Sequence, residues 1–397
     1  MAGALDGLLV LDLSRVLAGP YATMLLGDYG ARVIKVEQPG AGDETRQWGP
    51  PFAAGGESAY YLSANRNKES IAVNLKHPAG RAVVRALAQR ADVFVENFKA
   101  GALDALGLGY AALRAENPGL IYCAITGYGQ DGPYAARPGY DTVIQAQGGL
   151  MSITGPTEGE PHKVGVAVVD ITAGLYAVGA ILAALHHRQR SGEGQQIDIA
   201  LFDVQLSWLA NVGSAYLVSG QPPRRQGNAH ATIVPYQPFA TADGHLMVAV
   251  GNDGQFGRLC AVIGRPELAA DPRFATNPAR VRARDTLVPL LAAVFAGRPT
   301  ADWEAALLAA GVPCGPVNDV PAALDDPQAA ARGMVQEVQL ASGEAARLVG
   351  PAPKLSATPA QIRSAPPALG AHTAAVLQEL LGYDEATIAR LQAEGAL

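Results

Sequence analysis

The chain has 397 residues, more than one hydrophobic core usually organises, so two domains are the default expectation. Its 49% apolar and 17% charged residues exclude a disordered chain, and a net charge of -6 without any Lys/Arg run leaves no footprint for a nucleic acid backbone. Three cysteines, Cys123, Cys260 and Cys314, are far apart and belong to no CxxC or Cys/His cluster, which excludes a disulfide framework and fits a reducing compartment.

The N-terminal run MAGALDGLLVLDLSR has no basic segment ahead of its apolar residues, and Asp6 and Asp12 flank them, so a cytoplasmic protein without a signal peptide is expected. LLVLDLS then reads as a strand, PYATMLLGDYG as a helix and ARVIKVE as a strand. SIAVNLK, PAGRAVVRALAQRA, DVFVENF and LIYCAIT continue the alternation. Continuous apolar strands between amphipathic helices predict an α/β fold, a doubly wound parallel sheet covered on both faces, with ligands bound beyond the carboxyl ends of its strands. Pro20 and Pro78 stand where first helical residues would, and Gly30 and Gly192 where a chain leaves a helix.

Between the first strand and its helix, Ala18 and Gly19 form a small-residue loop whose backbone N–H groups suit a phosphate, or simply a tight strand-to-helix turn. Lys76, Lys99 and Arg137 fall at strand or loop ends where a polyanion can reach them, although singly such residues are commonly solvated surface charges. GYGQDG, Gly127 to Gly132, matches GxGxxG after a strand, but Pro133, Pro138 and Gly139 follow, so no helix opens there and a dinucleotide site is not expected.

The run VGVAVVD reads as a strand ending at Asp170, with ITAGLYAVGAILAALHHRQR as the next helix. Asp170 then occupies an N-cap position. An N-cap aspartate is commonly structural, contributing about 1 kcal/mol. The same amides and helix dipole would also lower its pKa and keep it ionised, as a carboxylate nucleophile must be. His186 and His187, with Arg188 and Arg190, complement the far end of that helix. Its apolar stretch, Ala173 to Leu185, falls short of the roughly 20 residues that span a bilayer and reads as a buried helix, so no membrane partner is expected. No helical His pair and no GxSxG elbow occurs, so no metal is expected.

Composition changes over SGQPPRRQGNAH, Ser219 to His230, which reads as a linker. A hairpin follows, PYQPFAT and HLMVAV about the turn Ala242 to Gly244, then helices to about Asp326. In the Pro/Ala-rich tail from Met334, VQEVQL reads as a strand, and HTAAVLQELLG as a helix ahead of a short amphipathic end from Asp384.

VLDLSRVLAGPYATMLLGDYGARVIKVEQPGAGDETR, NRNKESIAVNLKHPAG, DVFVENFKAGALDALGLGY, GYGQDGPYAARPGYD and GVAVVDITAGLYAVGAILAAL together resemble the CaiB/BaiF, or family III, CoA-transferases. The resemblance implies an interlocked homodimer. In it, a discontinuous Rossmann-like large domain, residues 1–220 and 331–397, holds a smaller α+β domain, residues 221–330. It implies that Asp170 is the nucleophile, with Tyr140 lining the active site. Coenzyme A contacts are implied at Val16, Ala18, Val73, Lys76, Asn97, Phe98, Lys99 and Arg137. The chain departs from the family pattern at Gln38 and Ala105, where related enzymes often carry arginines, which puts more weight on Lys76 and Lys99.

The resemblance further implies that an acyl-CoA thioester is a substrate, with no cofactor held permanently. Acyl-CoA racemases of the family read GHD where this chain reads GYD, and Tyr, with a reference pKa of about 10 against about 6.5 for His, is a poor base at neutral pH. Formyl-CoA transferases carry a polyglycine loop where this chain has GNDGQF; carnitine-type transfer stays an alternative. GNAHATIVPYQPFATADG and GVPCGPVNDV are closer to enzymes that use succinyl-CoA with dicarboxylic acceptors such as glutarate, hydroxymethylglutarate, malate or citramalate. In that setting Arg46 or His230 is expected to hold a distal carboxylate, and the loop Gly251 to Gln255 to close over the intermediate.

Overall fold

The computed structural model describes residues 3–397, which form two compact units. The larger comprises residues up to Leu150, Val164–Leu217 and Pro327–Leu397; the smaller comprises Met151–Lys163 and Val218–Asp326.

The larger unit is built on six parallel strands, β1 (Leu9–Asp12), β2 (Arg32–Glu37), β3 (Lys68–Ala72), β4 (Val93–Glu96), β5 (Ile121–Thr126) and β6 (Gln196–Ala200). Their order is β3-β2-β1-β4-β5-β6. Alternate side chains reach two separate apolar layers, Val10, Val93, Val95, Ile121 and Cys123 on one face and Leu11, Ile34, Phe94 and Tyr122 on the other. Burial of both faces explains why the strands read as unbroken apolar runs. The expected doubly wound sheet is therefore present. β6 escapes sequence reading because polar Gln196 and Asp198 interrupt a short edge strand.

Helices α1 (Ala18–Asp28), α2 (Ala59–Leu62), α3 (Pro78–Ala88), α4 (Tyr110–Glu116), α5 (Asp141–Gln147), α6 (Leu150–Ile153), α7 (Val168–Ser191), α8 (Leu201–Ser207) and α9 (Ala210–Ser219) follow in chain order. α1 and α7 cover the first face; α3 covers the second, joined by the C-terminal helices Thr373–Leu381 and Glu385–Ala393 through Val376, Leu377, Ile388 and Leu391. α1 and α7 approach so closely at Gly174 that an added Cβ would lie 2.8 Å from the carbonyl oxygen of Ala18. Gly174 is thus required by packing, because burying a methyl there would force the helices apart.

Two sequence readings change here. α1 begins at Ala18, so Ala18 and Gly19 are its first turn and Pro20 its third residue rather than its first. VGVAVVD is not a strand: α7 starts at Val168, N-capped by Ala167, and Asp170 is its third residue. The Val-rich run mimics a buried strand, but a carboxylate from outside the helix, Asp141, accepts the N–H groups of Val169 and Asp170 at 2.7 and 3.2 Å and opens the helix three residues earlier. With 24 residues, α7 is also longer than its apolar stretch suggests, long and apolar enough to cross a membrane by length and composition, yet half of that window is buried within the unit.

A hairpin of β10 (Val335–Gln339) and β11 (Ala345–Val349) completes the larger unit. In the smaller unit, β7 (Tyr236–Ala240), β8 (His245–Ala249) and β9 (Cys314–Pro316) form an antiparallel sheet, with Thr241 N–H closing the predicted turn on Gly244 at 2.9 Å. Its core is Phe239, Leu246, Phe256, Leu291, Phe295 and Trp303. Residues 151–163, which sequence reading leaves with the larger unit, join the smaller one, where Arg225 donates to the carbonyls of Pro156 and Gly159 at 2.8 and 2.7 Å.

Candidate active site

Strand order reverses between β1 and β4, and the loops leaving their carboxyl ends, Leu13–Leu17 and Asn97–Ala100, flank that crevice. Four fully buried charges lie beneath. Lys35 donates to the Ser14 carbonyl and to Asp43, both at 2.9 Å. Lys68 donates to Asp12 at 3.1 Å, to the Pro20 carbonyl at 2.9 Å and to Asn65 at 3.0 Å. Burial works against ionisation of Asp12, but Lys68 and Lys35 outweigh it and hold the carboxyl below the usual range. Burial, reinforced by Lys35, brings Lys68 down to about 8.

This network grips the loop that sequence reading assigns to ligand binding. Asp43 accepts the Val16 N–H at 3.2 Å, and Val16 has φ 69°, a left-handed conformation costly for a β-branched residue. Asn97 zips the two loops together, accepting the Arg15 N–H at 2.8 Å and donating to the Arg15 carbonyl at 2.7 Å. Gly19 allows α1 to start here, since a Cβ would fall 2.3 Å from that of Ser14.

Asp170 faces a cavity of about 200 Å³ between these loops, lined also by Val16, Ala18, Asn97, Phe98, Lys99, Arg137 and Tyr140. The direction of its pKa is opposite to the sequence expectation. Burial first, and the charge of Asp141 second, push Asp170 up to about 7. The helix-start amides that would have stabilised its anion are taken by Asp141 instead, and among the described residues no lysine or arginine pairs with it. An unpaired, half-ionised carboxylate at the wall of a cleft is poised for nucleophilic or acid–base chemistry rather than for structure.

A second cavity, of about 620 Å³, is lined by Leu13, Val36, Gln38, Val73, Leu75, Lys76 and Leu106. Val73 is buried and Lys76 is exposed at its edge. Arg15, Glu44 and Phe98 line both cavities.

Residues 5–373 match the model of CoA-transferase family III. The chain belongs to that family. As a family III CoA-transferase, it is an enzyme of a class that acts on acyl-CoA. It is 47% identical to a mouse succinyl-CoA:glutarate CoA-transferase over 99% of this chain and 90% of that one. It is 49% identical to a succinate–glutarate CoA-transferase of Agrobacterium fabrum, over 95% of each. A CaiB/BaiF family protein from Brucella suis has a crystal structure that superposes with a TM-score of 0.88 at 48% identity, covering 96% of this chain and all of that one.

Of the residues expected at the site of this family III CoA-transferase, several are engaged elsewhere. Arg46 is not available for a substrate carboxylate: it donates twice to Glu37, at 2.8 and 2.7 Å, and to the Tyr61 hydroxyl at 2.6 Å, while stacking on the Tyr61 ring. His230, Gly251 and Gln255 belong to the smaller unit. His230 Nδ1 accepts the Thr232 N–H at 3.2 Å. Gly251 to Gln255 is not an open loop; Asn252 caps helix α10 (Asp253–Val262) by accepting the Gln255 N–H at 2.9 Å, and Gln255 accepts the Gly251 N–H at 2.7 Å. The N-cap asparagine is legible in N-D-G-Q, while Gln255 reaches one residue past the cap, to Gly251. The loop of Gly127 to Gly132 opens no helix, and Gly127 lies against Gly139 so tightly that a Cβ would come within 2.6 Å of its Cα.

Two side chains at the site, Asp141 and Tyr60, are given no role by the sequence alone. Asp141 holds the start of α7 and is itself held by Gln145 at 2.6 Å; the spacing D-x-x-x-Q on one helix face could have flagged it. Tyr60 senses the same carboxylates: burial, then the charges of Asp170, Asp141 and Asp43, push its phenol up to about 12. Among the described residues, no cluster of three His, Cys, Asp or Glu is placed to hold a metal ion.

Proposed function

We propose that this enzyme moves coenzyme A from succinyl-CoA to a dicarboxylic acid, with glutarate the first acceptor to test, through covalent intermediates on Asp170. The observation that carries the reading is the Asp170 carboxylate, unpaired and facing the cavity that adjoins the larger one. The relatives that use succinyl-CoA and glutarate match nearly the whole chain, which supports the choice of acids.

In the proposed sequence, the Asp170 carboxylate attacks the thioester carbonyl and expels CoA thiolate, giving a mixed anhydride. The thiolate attacks the aspartyl carbonyl, releasing succinate and leaving an aspartyl-CoA thioester. The acceptor carboxylate then attacks that thioester, expelling CoA thiolate again, and the thiolate opens the second anhydride at the acceptor carbonyl. Product leaves and Asp170 is free. Each step exchanges one activated acyl bond for another, so neither ATP nor a metal ion is consumed. The Val73 and Lys76 cavity suits the nucleotide end of CoA, and Lys99, Arg137 and the backbone of Val16, Ala18 and Phe98 suit the chain running toward Asp170. Tyr140, 65% exposed on the cavity rim, is proposed to hydrogen-bond an acyl or acceptor oxygen.

A homodimer is part of the proposal. Leu175, Tyr176 and Leu182 of α7 and Leu206 and Trp208 beyond it are exposed apolar side chains that a second copy of the chain would cover. The test of the chemistry is direct. Purified protein with succinyl-CoA and glutarate should form glutaryl-CoA, followed by mass spectrometry, and Asp170→Ala should reduce this at least a thousandfold. Hydroxylamine added during turnover should convert residue 170 to a hydroxamate; exchange that continues with residue 170 unmodified sinks the mechanism.

A further inference from the structure

The two cavities are separated by a partition of three side chains, Arg15, Glu44 and Phe98. We infer that Arg15 is the diphosphate-binding residue of the CoA site, and that its ion pair with Glu44 is a latch which the diphosphate of the incoming thioester exchanges. This rests on the CoA-transferase reading above and assigns to it a residue and a step.

A thioester whose nucleotide end lies beside Val73 and Lys76 and whose carbonyl reaches Asp170 must cross that partition. The segment that joins a nucleotide to its thiol arm begins with a diphosphate. On the partition and the adjoining wall of the larger cavity, Glu37, Asp43 and Glu44 are acidic, and Glu37 and Asp43 are already bonded to Arg46 and Lys35. Arg15 is the cation at the crossing, with Lys76 further along the larger cavity. Lys99 and Arg137 line the smaller cavity beyond it, but of the three partition residues Arg15 is the one cation that opposes Glu44.

The geometry of Arg15 fits exchange. Its backbone is clamped on both sides by Asn97, so the loop does not depend on where the side chain points. The guanidinium lies over the Phe98 ring at 5.1 Å and reaches Glu44 through one nitrogen at 2.5 Å. Its buried Nε has no hydrogen-bond partner. The pair is open to water, with side chains 44% and 47% exposed, so it holds weakly, whereas an arginine fork meets two phosphate oxygens with charge-assisted bonds. Turning from Glu44 to a diphosphate gives the guanidinium more partners and leaves Glu44 to solvent.

The test compares succinyl-CoA with succinyl-pantetheine, which keeps the thioester but lacks the nucleotide and diphosphate. For each enzyme the readout is the ratio of kcat/KM on the two donors with glutarate as acceptor. Arg15→Gln should lower the preference for succinyl-CoA ten- to a hundredfold, by raising its KM, and Arg15→Lys should restore part of it. Glu44→Gln should move the other way, tightening CoA binding two- to fivefold by calorimetry, with a weaker dependence on salt. A ratio unchanged in Arg15→Gln, with both donors impaired alike, overturns the assignment and makes Arg15 structural; looser CoA binding in Glu44→Gln overturns the latch. Wild-type protein that exchanges CoA between no acids would instead remove the underlying reading, which this comparison shows separately.

Discussion

Two sets of buried charge lie within the larger unit and are treated in opposite ways. Under β1, β2 and β3, Asp12, Lys35, Asp43 and Lys68 are fully buried and each meets an opposite charge and further hydrogen bonds. At the start of α7, Asp170 meets another carboxylate and no cation. The first arrangement fixes loop backbone, since each charge is satisfied only in one geometry. The second stores reactivity, since the carboxylate's anion is disfavoured and gains by becoming a neutral anhydride or thioester. Charge pairing separates scaffold from nucleophile more clearly than burial does.

The largest effect should come from breaking the paired set. Lys35→Met leaves Asp43 without its cation while Asp12 keeps Lys68, and should cost roughly 3–5 kcal/mol in urea unfolding; a loss below about 1 kcal/mol would mean that the network is not as dry as it looks. Next is stability at Asp170. Its folded-state pKa, about 7, lies above the ordinary 3.8, so the folded chain retains a proton that the unfolded chain gives up between those values, and stability falls as pH rises through that window. Asp170→Asn should therefore stabilise the protein at pH 8, by at most about 4 kcal/mol, and leave it unchanged near pH 3; equal melting shifts at both pH values would contradict this. The acid limb of kcat/KM follows from the same carboxyl, with activity rising tenfold per pH unit below about 7 and levelling above it. The smallest effect sharpens the contrast. Asp141→Asn keeps an oxygen for the Val169 and Asp170 amides but removes the second cause of the raised pKa, so the acid limb should move down by about one pH unit; an unmoved limb would assign the whole displacement to burial.

The sheet was legible because strands buried on both faces leave unbroken apolar runs, and the helices because their caps are local. What escaped depended on distant partners. Nothing in the sequence around Asp170 discloses that Asp141, 29 residues earlier, accepts its N–H, so local signals alone start α7 too late and give the carboxyl's pKa the wrong direction. Arg46 looked available because Glu37 and Tyr61 come to it only after folding. Lys35 and Lys68 bear no local mark of a role at the site, yet they form its buried floor. Of the residues that line the cavities from loop backbone, Ala18 is marked by a small-residue turn, whereas Val16 carries little chemical signature and is named only through the family's motifs.

Gly174 sits one helical turn beyond Asp170 and touches the carbonyl of Ala18. It therefore works as a ruler, setting the span between the reactive oxygen and the backbone at the mouth of α1 with no slack for a longer or shorter reach. Adaptation to acids of different length has to be found among side chains at the rim, because the distance from nucleophile to α1 is written into the backbone itself.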